Sequence, residues 1–282
     1  GLTFSVEIAR QGGKNELSAQ LELLLLTLYM AEPNLKSWTF QSVALGFVTG
    51  FTLTGASMAL NDYFDRYIDA INEPNRPIPS GAISPSQALA YAIMLSTIGL
   101  TASAFTSTKC LLLAMLSAAL SVAYTSYGKK TGLLGNMMVS GCIAIPFIYG
   151  ALLIERLKIS NILAASTAFL ANTGREVTKG IVDVEGDRKY GINTTAVKYG
   201  NRIASYVATA LYLSAVLITP IPTLIGNPSL GYLFTVAFTD IGFITSSIII
   251  LKNPSREKAR RVKNTIVLWM LLGLLAFLQL QL

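Results

Sequence analysis

Histidine is missing from all 282 positions, and with it the commonest general base at neutral pH and the commonest metal ligand. Cysteine occurs twice, at Cys110 and Cys142, both inside apolar runs. Two such residues make no disulfide framework, and both read as core positions. Charge is scarce as well: Asp, Glu, Lys and Arg make up 13% of the chain, against roughly 25% in soluble domains. A water-soluble globular domain is thereby excluded. Acidic residues are the rarer sign, 15 against 22 basic ones, and only six of them are aspartates. With no imidazole available, carboxylates are the natural metal ligands, and their oxygens suit a hard cation such as Mg²⁺.

Apolar residues dominate instead, at 52% of the chain with a mean hydropathy of +0.53. A helix rises 1.5 Å per residue, so about 20 apolar residues cross the hydrocarbon layer. Runs of that order are legible at 38–60, 85–107, 111–127, 133–154, 159–174, 203–219, 229–251 and 265–282. An earlier run, 17–30, is shorter and contains Glu22, and is read as the first span. The expected fold is all-α, a polytopic membrane bundle of nine transmembrane helices. The opening stretch GLTFSVEIARQGG has neither the basic start nor the unbroken apolar run of a cleavable signal, so insertion is expected to rely on the helices themselves.

Under nine spans, the N-terminus and the loops after the second, fourth, sixth and eighth helices share one face. Every basic residue except Lys36, Lys109, Arg156 and Lys158 falls there, 18 of 22, which makes that face cytoplasmic by the positive-inside rule. Charge laid out in this way orients a membrane protein and meets anionic headgroups or phosphates. It is not the footprint of a nucleic-acid binder.

Five of the six aspartates lie on the same face, in two short segments: Asp62, Asp65 and Asp69, then Asp183 and Asp187, with Asp65 and Asp187 122 positions apart. Each segment closes an apolar helix and is followed by a polar loop, 72–84 or 185–201, and three more helices. This pattern reads as a four-helix unit used twice, helices two to five and six to nine, with equivalent helix ends facing across a central cavity. The two loops are expected to cap its mouth. Gly46 and Gly50 form a GxxxG surface for close helix packing. Asp240 stands alone in the eighth run, where a polar residue needs a partner.

If helix two continues past Leu60, Asp62, Asp65 and Asp69 stand at i, i+3 and i+7 on one stripe. Asp183 and Asp187 stand at i and i+4, with Glu176 and Gly180 on the same line. Facing carboxylate stripes repel by several kcal/mol in a partly dry site unless cations lie between them. Mg²⁺ fits, and it is usually completed by substrate phosphate oxygens. The implied ligand is a phosphate ester at a membrane surface. Two other readings are ion pairing of the aspartates with Arg66, Arg188 and Lys189, and a Mg²⁺-linked transporter. Transport sites, however, sit near the bilayer midplane, whereas these carboxylates sit at the lip.

NDxxDxxxD at Asn61 to Asp69, followed by NRPIPSG at Asn75 to Gly81, and DVEGD at Asp183 to Asp187, followed by INTTAVKYG, resemble the two aspartate-rich signatures of the UbiA superfamily of intramembrane prenyltransferases. The resemblance covers the chain from helix two onward and makes residues 1–282 a single domain of that type. It implies an enzyme with two Mg²⁺ ions, an isoprenyl diphosphate whose tail lies in an apolar tunnel, and a cell-membrane location with the site on the cytoplasmic face. It implies Asn61, Asp62, Asp65, Asp69, Asp183 and Asp187 as metal ligands, the aspartates being the catalytic set. Arg66, Lys129, Lys130 and Lys179 become candidates to contact the diphosphate, and Tyr124 becomes a ring face for a developing carbocation.

Within the family, GREVTKGIVDVEGDRKYGINT and the unbroken NRPIPSG are most similar to the branch that alkylates a glyceryl phosphate ether in archaeal lipid synthesis. That likeness implies geranylgeranyl diphosphate as donor and the free hydroxyl of geranylgeranylglyceryl phosphate as nucleophile. Arg175 or Arg76 would hold the acceptor phosphate. Glu176 and a diphosphate oxygen are the candidates to take the hydroxyl proton. The alternative within the family is a 4-hydroxybenzoate polyprenyltransferase. The segment ARQGGKNELSAQLE departs from the family, whose members often carry an Arg-Pro pair before the first helix.

Overall fold

The computed structural model describes residues 14–34 and 38–280, with side chains from position 21 onward apart from position 72. Every regular element among them is helical. The order is α1 (Lys14–Ala31), α2 (Phe40–Asn72), α3 (Pro85–Ala104), α4 (Thr108–Ser126), α5 (Leu133–Leu153), α6 (Ile159–Val182), α7 (Val184–Lys189), α8 (Thr195–Ile218), α9 (Ile221–Ile225), α10 (Leu230–Lys252) and α11 (Arg256–Phe277). Arg10 and Lys36, which enter the charge distribution above, lie outside the described residues.

Local chemistry explains the starts of these helices. Thr39, Ser84, Thr194, Ser229 and Ser255 each accept a backbone N–H with the side-chain oxygen, capping α2, α3, α8, α10 and α11. At α3 the cap is a full box: Ser84 accepts from the Gln87 N–H, Gln87 accepts from the Ser84 N–H, and Pro85 occupies the first turn.

Among the described residues, six helices are long and apolar enough to cross a membrane: Phe40–Ile71, Pro85–Ala104, Thr108–Ser126, Leu133–Leu153, Thr195–Ile225 and Leu230–Lys252. Three further long helices coincide with expected spans but fall short by composition. In α1 the described side chains give one shorter apolar stretch, Leu21–Ala31. The polar residues Ser160, Asn161, Asn172, Arg175, Glu176 and Lys179 dilute α6, and Arg256, Lys258, Arg260, Arg261 and Lys263 open α11. Several expected boundaries move. The run read as 38–60 continues to Asn72, and the one read as 265–282 is α11, which begins at Arg256. The run read as 159–174 continues as helix to Val182. The segment read as a long loop, 185–201, holds α7 and the start of α8, whose helix is interrupted only at Gly200, with φ 83°.

The chain divides into two units, each described in its own terms. The first runs up to Ser126 and includes Tyr149–Arg156. In it α2 packs on α3 and α4, and α1 on α2. Its core gathers Leu24, Leu28, Cys110, Ala114, Tyr149 and Leu153. Gly46 admits that packing, because a Cβ there would collide with Leu153 and press on Leu24. The small-residue surface read from the sequence therefore works as expected at this position. Hydroxyls tie the helices together: Ser121 Oγ donates to Ser57 Oγ at 2.6 Å, and Tyr149 OH donates to Ser103 Oγ at 3.2 Å.

The second unit comprises Tyr127–Ile148 and the chain from Leu157 onward. Here α6 packs on α8 and α11, and α10 on α8 and α11. Val177, Ile181, Ala204, Ala208, Tyr212, Phe243, Ile250 and Ile266 lie in one core. Asp240 finds its partner in this unit: Thr219 Oγ1 lies 2.7 Å from Asp240 Oδ2, joining the end of α8 to α10. The division between units falls inside α5, two residues beyond Pro146, which removes one helical N–H.

Candidate active site

The first aspartate cluster stands on the last turns of α2. No proline or glycine interrupts the helix between Gly55 and Pro74, so its 33 residues extend about 50 Å, well beyond a hydrocarbon layer of roughly 30 Å. Asp62, Asp65 and Asp69 therefore keep the i, i+3, i+7 spacing on one helical stripe. After Asn72 the chain turns back, and the turn supplies a cation. Nη1 of Arg76 donates to Asp62 Oδ1 at 3.0 Å and to Asp69 Oδ2 at 3.1 Å. Asp69 is buried, 7% exposed, so this pairing answers the cost of placing a carboxylate there. The partner is Arg76, which the sequence reading had assigned to a substrate phosphate, and not the neighbouring Arg66. Arg66 is held by its own helix: Nη1 donates to the Tyr63 carbonyl at 2.6 Å, and the guanidinium lies 4.5 Å and 4.4 Å from the ring centres of Tyr63 and Tyr67.

The second cluster sits at a joint. Asp183 ends α6 and begins α7, with φ −101° and ψ 8°, outside helical geometry. The Asp187 N–H donates to the Asp183 carbonyl at 2.9 Å, and the Ile192 N–H donates to the Asp187 carbonyl at 2.8 Å, so backbone bonds fix the spacing of the two carboxylates. Among the described residues neither aspartate forms an ion pair. Burial and then the like charge of Asp183 push the Asp187 carboxyl up to about 6, against the opposing pull of Lys179 and a Thr194 hydroxyl. Thr194 also caps α8 and packs over Gly180, where an added Cβ would lie 3.3 Å from the Thr194 Cβ.

Of the other sequence-predicted residues, Lys129, Lys130, Arg175 and Lys179 belong to the same unit as the second cluster. Lys129 and Lys130 lie in the 3₁₀ turn Gly128–Lys130. At Gly132, with φ 67°, a Cβ would lie 2.5 Å from the Asn193 carbonyl oxygen, so this turn abuts the loop that follows Asp187. One and two turns before Asp183, Arg175 Nη1 donates to Glu176 Oε1 at 2.9 Å, and Lys179 Nζ lies 3.6 Å from Glu176 Oε2. Tyr124 is half-buried near the end of α4, in the first unit. Three features escaped sequence reasoning. These are the Arg76 clasp, the Thr194 contact, and a buried pair in which Asn172 Nδ2 donates to Ser140 Oγ at 2.9 Å. Only Asn172 left a trace: it falls at i−3 from Arg175, on the charged face of α6.

Among the described residues, no group of three or more Asp, Glu, Cys or His side chains is gathered as a metal cage. A hard cation completed by phosphate oxygens does not need one, since one or two carboxylates suffice. Asp183 and Asp187 fit that role by chemistry, as an oxygen pair whose mutual repulsion a cation relieves.

Residues 23–275 match the model of the UbiA prenyltransferase family. The chain belongs to that family. As a UbiA prenyltransferase it is an integral membrane enzyme. It is 37% identical over 236 residues to the digeranylgeranylglyceryl phosphate synthase of Methanothermobacter thermautotrophicus, covering 84% of both chains. To the synthase of the same name from Methanopyrus kandleri it is 34% identical over 255 residues, 83% of this chain and 93% of the relative. A solved digeranylgeranylglyceryl phosphate synthase shares the fold with a TM-score of 0.87 at 29% identity, over 98% of this chain and 97% of the other. A UbiA homolog from Archaeoglobus fulgidus bound to GPP and Mg²⁺ has the same fold at 16% identity, with a TM-score of 0.69 over 93% of this chain and 97% of that one.

Proposed function

We propose that this UbiA prenyltransferase is Mg²⁺-dependent and moves a geranylgeranyl group from its diphosphate to the free hydroxyl of geranylgeranylglyceryl phosphate, in the synthesis of archaeal ether lipids. The observation that carries the acceptor is the 37% identity to a named synthase along 84% of both chains. The chemistry rests on the two aspartate motifs. Asn61, Asp65, Asp183 and Asp187, with Asp62 and Asp69 beside them, would hold two Mg²⁺ ions against one diphosphate. When bound, these ions supply charge neutralisation for the departing diphosphate.

The chain's own residues do the rest. Lys129, Lys130, Lys179 and Arg66 meet the remaining phosphate charge, the lysines as point charges and the arginine as a fork. Arg175 or Arg76 serves the acceptor phosphate, Arg76 only on letting go of Asp62 and Asp69. The ring face of Tyr124 steadies the allylic cation while the acceptor hydroxyl attacks its first carbon. Nine membrane spans arranged as two four-helix repeats, with the motif ends on the cytoplasmic side, keep water from quenching that cation.

The test is a side-by-side assay of purified protein with Mg²⁺ and geranylgeranyl diphosphate, offering the glyceryl phosphate ether or 4-hydroxybenzoate as acceptor. The expected outcome is diphosphate release with the ether alone. Turnover of hydroxybenzoate instead identifies the quinone-type enzyme, and no release with either acceptor removes the catalytic reading.

A further inference from the structure

Glu176 lies between two cations on one helical face, and each of its carboxylate oxygens faces one of them: Oε1 faces Arg175 Nη1 at 2.9 Å and Oε2 faces Lys179 Nζ at 3.6 Å. The order of exposure is informative. The Glu176 side chain is 14% exposed, Arg175 27% and Lys179 48%, so the anion sits deepest and the cations stand in front of it. Arg175 has hydrogen-bonding capacity to spare, because its Nε–H is shielded from solvent and has no acceptor. With one anion for two cations, the cluster keeps a net positive charge.

This stretch of α6 is also held still. At Gly174 an added Cβ would lie 2.7 Å from the Tyr212 ring, so the tyrosine packs directly on the helix backbone. One turn on, the Thr178 hydroxyl is hydrogen-bonded to Tyr212 OH at 2.8 Å. Tyr212 is fully buried, so the face opposite Glu176 is locked to α8. A rigid backbone with a carboxylate at the back orients two long side chains that would otherwise sample many rotamers.

We infer that Glu176 is a positioning residue, which aims Arg175 and Lys179 at a substrate phosphate and does not take the acceptor's proton. The inference rests on the prenyl-transfer reading above. With Glu176 turned to Arg175 and Lys179, the proton released when the acceptor oxygen bonds to the first prenyl carbon passes to the departing diphosphate, whose bond to that carbon breaks in the same step. Both cations then serve one phosphate, the donor's or the acceptor's, in place of Lys179 on the first and Arg175 on the second, and steady-state kinetics with one substrate varied at a time tells the two apart.

The experiment compares wild type, Glu176→Gln, Lys179→Gln and the double variant. If Glu176 acts by orientation, Glu176→Gln raises KM for one phosphate-bearing substrate about tenfold, the scale of a charged hydrogen bond, while kcat changes little and the pH profile keeps its shape. Lys179→Gln raises the same KM, and the double variant is no worse than the poorer single, because the two act through one contact. Lys179 is half-exposed and its variant is expected to fold even if Glu176→Gln does not, so its KM alone still decides. A kcat drop of two orders of magnitude at unchanged KM, with the pH profile altered, would make Glu176 the proton acceptor and overturn the inference. KM values unmoved in every folded variant would overturn it too. Absence of turnover in the wild type would instead count against the prenyl-transfer reading.

Discussion

The two aspartate motifs answer the same electrostatic problem in different ways. The first lies on an unbroken helix and has its own counter-ion, with Arg76 bridging Asp62 and Asp69 at 3.0 and 3.1 Å. The second lies at a helix joint, forms no ion pair among the described residues, and has one carboxyl raised to about 6 by burial and by its neighbour Asp183. Metal-free, Asp62 and Asp69 share a cation at hydrogen-bond distance, while Asp183 and Asp187 repel with no cation at ion-pair distance among the described residues. On the proposed metal roles, an incoming cation competes with a guanidinium at the first motif, while at the second it relieves repulsion. Of the first motif's aspartates, Asp65 is the one the Arg76 clasp leaves out.

Substitutions that break this contrast have graded effects. The largest is expected from Asp65→Ala and Asp187→Ala. Each should lower turnover by about two orders of magnitude or more while leaving the protein folded, checked by diphosphate release together with circular dichroism. Wild-type activity in both variants would remove the metal roles. Next comes Arg76→Gln, which leaves buried Asp69 without its partner. A fully buried broken pair costs several kcal/mol. Because the Arg76 side chain is 39% exposed, the expected loss is about 1–2 kcal/mol, read from thermal unfolding. The same variant should be stabilised by Mg²⁺ more than wild type, since the cation no longer displaces a guanidinium.

The smallest effect is on pH dependence. Asp187 has a raised folded-state value, so between about pH 4 and 6 the folded protein binds a proton that the unfolded chain has already lost. Stability of the metal-free protein therefore falls as pH rises through that window. The unfolding midpoint should be slightly higher at pH 5 than at pH 7 without Mg²⁺, and the difference should shrink when Mg²⁺ is added or Asp187 is changed to Asn.

Much of this architecture was written in the run lengths. The start of α3 at Pro85 and the extent of α5 were legible as the bounds of apolar stretches; the capping box at Ser84 and Gln87 went unread. The continuation of α2 beyond Leu60 was not given by the run lengths; the stripe of aspartates was read on the condition that the helix continues, and it does, to Asn72. The reading failed where polarity was taken for irregularity. The run of α6 was cut at Gly174 because Arg175, Glu176 and Lys179 ended the hydrophobic stretch without ending the helix, and 185–201 was taken for a loop on polarity alone. What no pattern could supply were the long-range partners. Arg76 reaches Asp62 across 14 positions, Thr219 reaches Asp240 across 21, and Asn172 reaches Ser140 across 32. Each depends on which helices pack together, which local periodicity does not encode.

The most direct measurement is an experimental structure with Mn²⁺ in place of Mg²⁺ and a non-reactive geranylgeranyl diphosphate analogue, using anomalous scattering to locate the metal. The expected result is Mn²⁺ bound to carboxylates of both motifs, Asp65 on one side and Asp187 on the other, with a single diphosphate between them. Diphosphate and metal confined to one motif, with the other motif's aspartates out of reach, would contradict the claim that the two motifs serve one ligand.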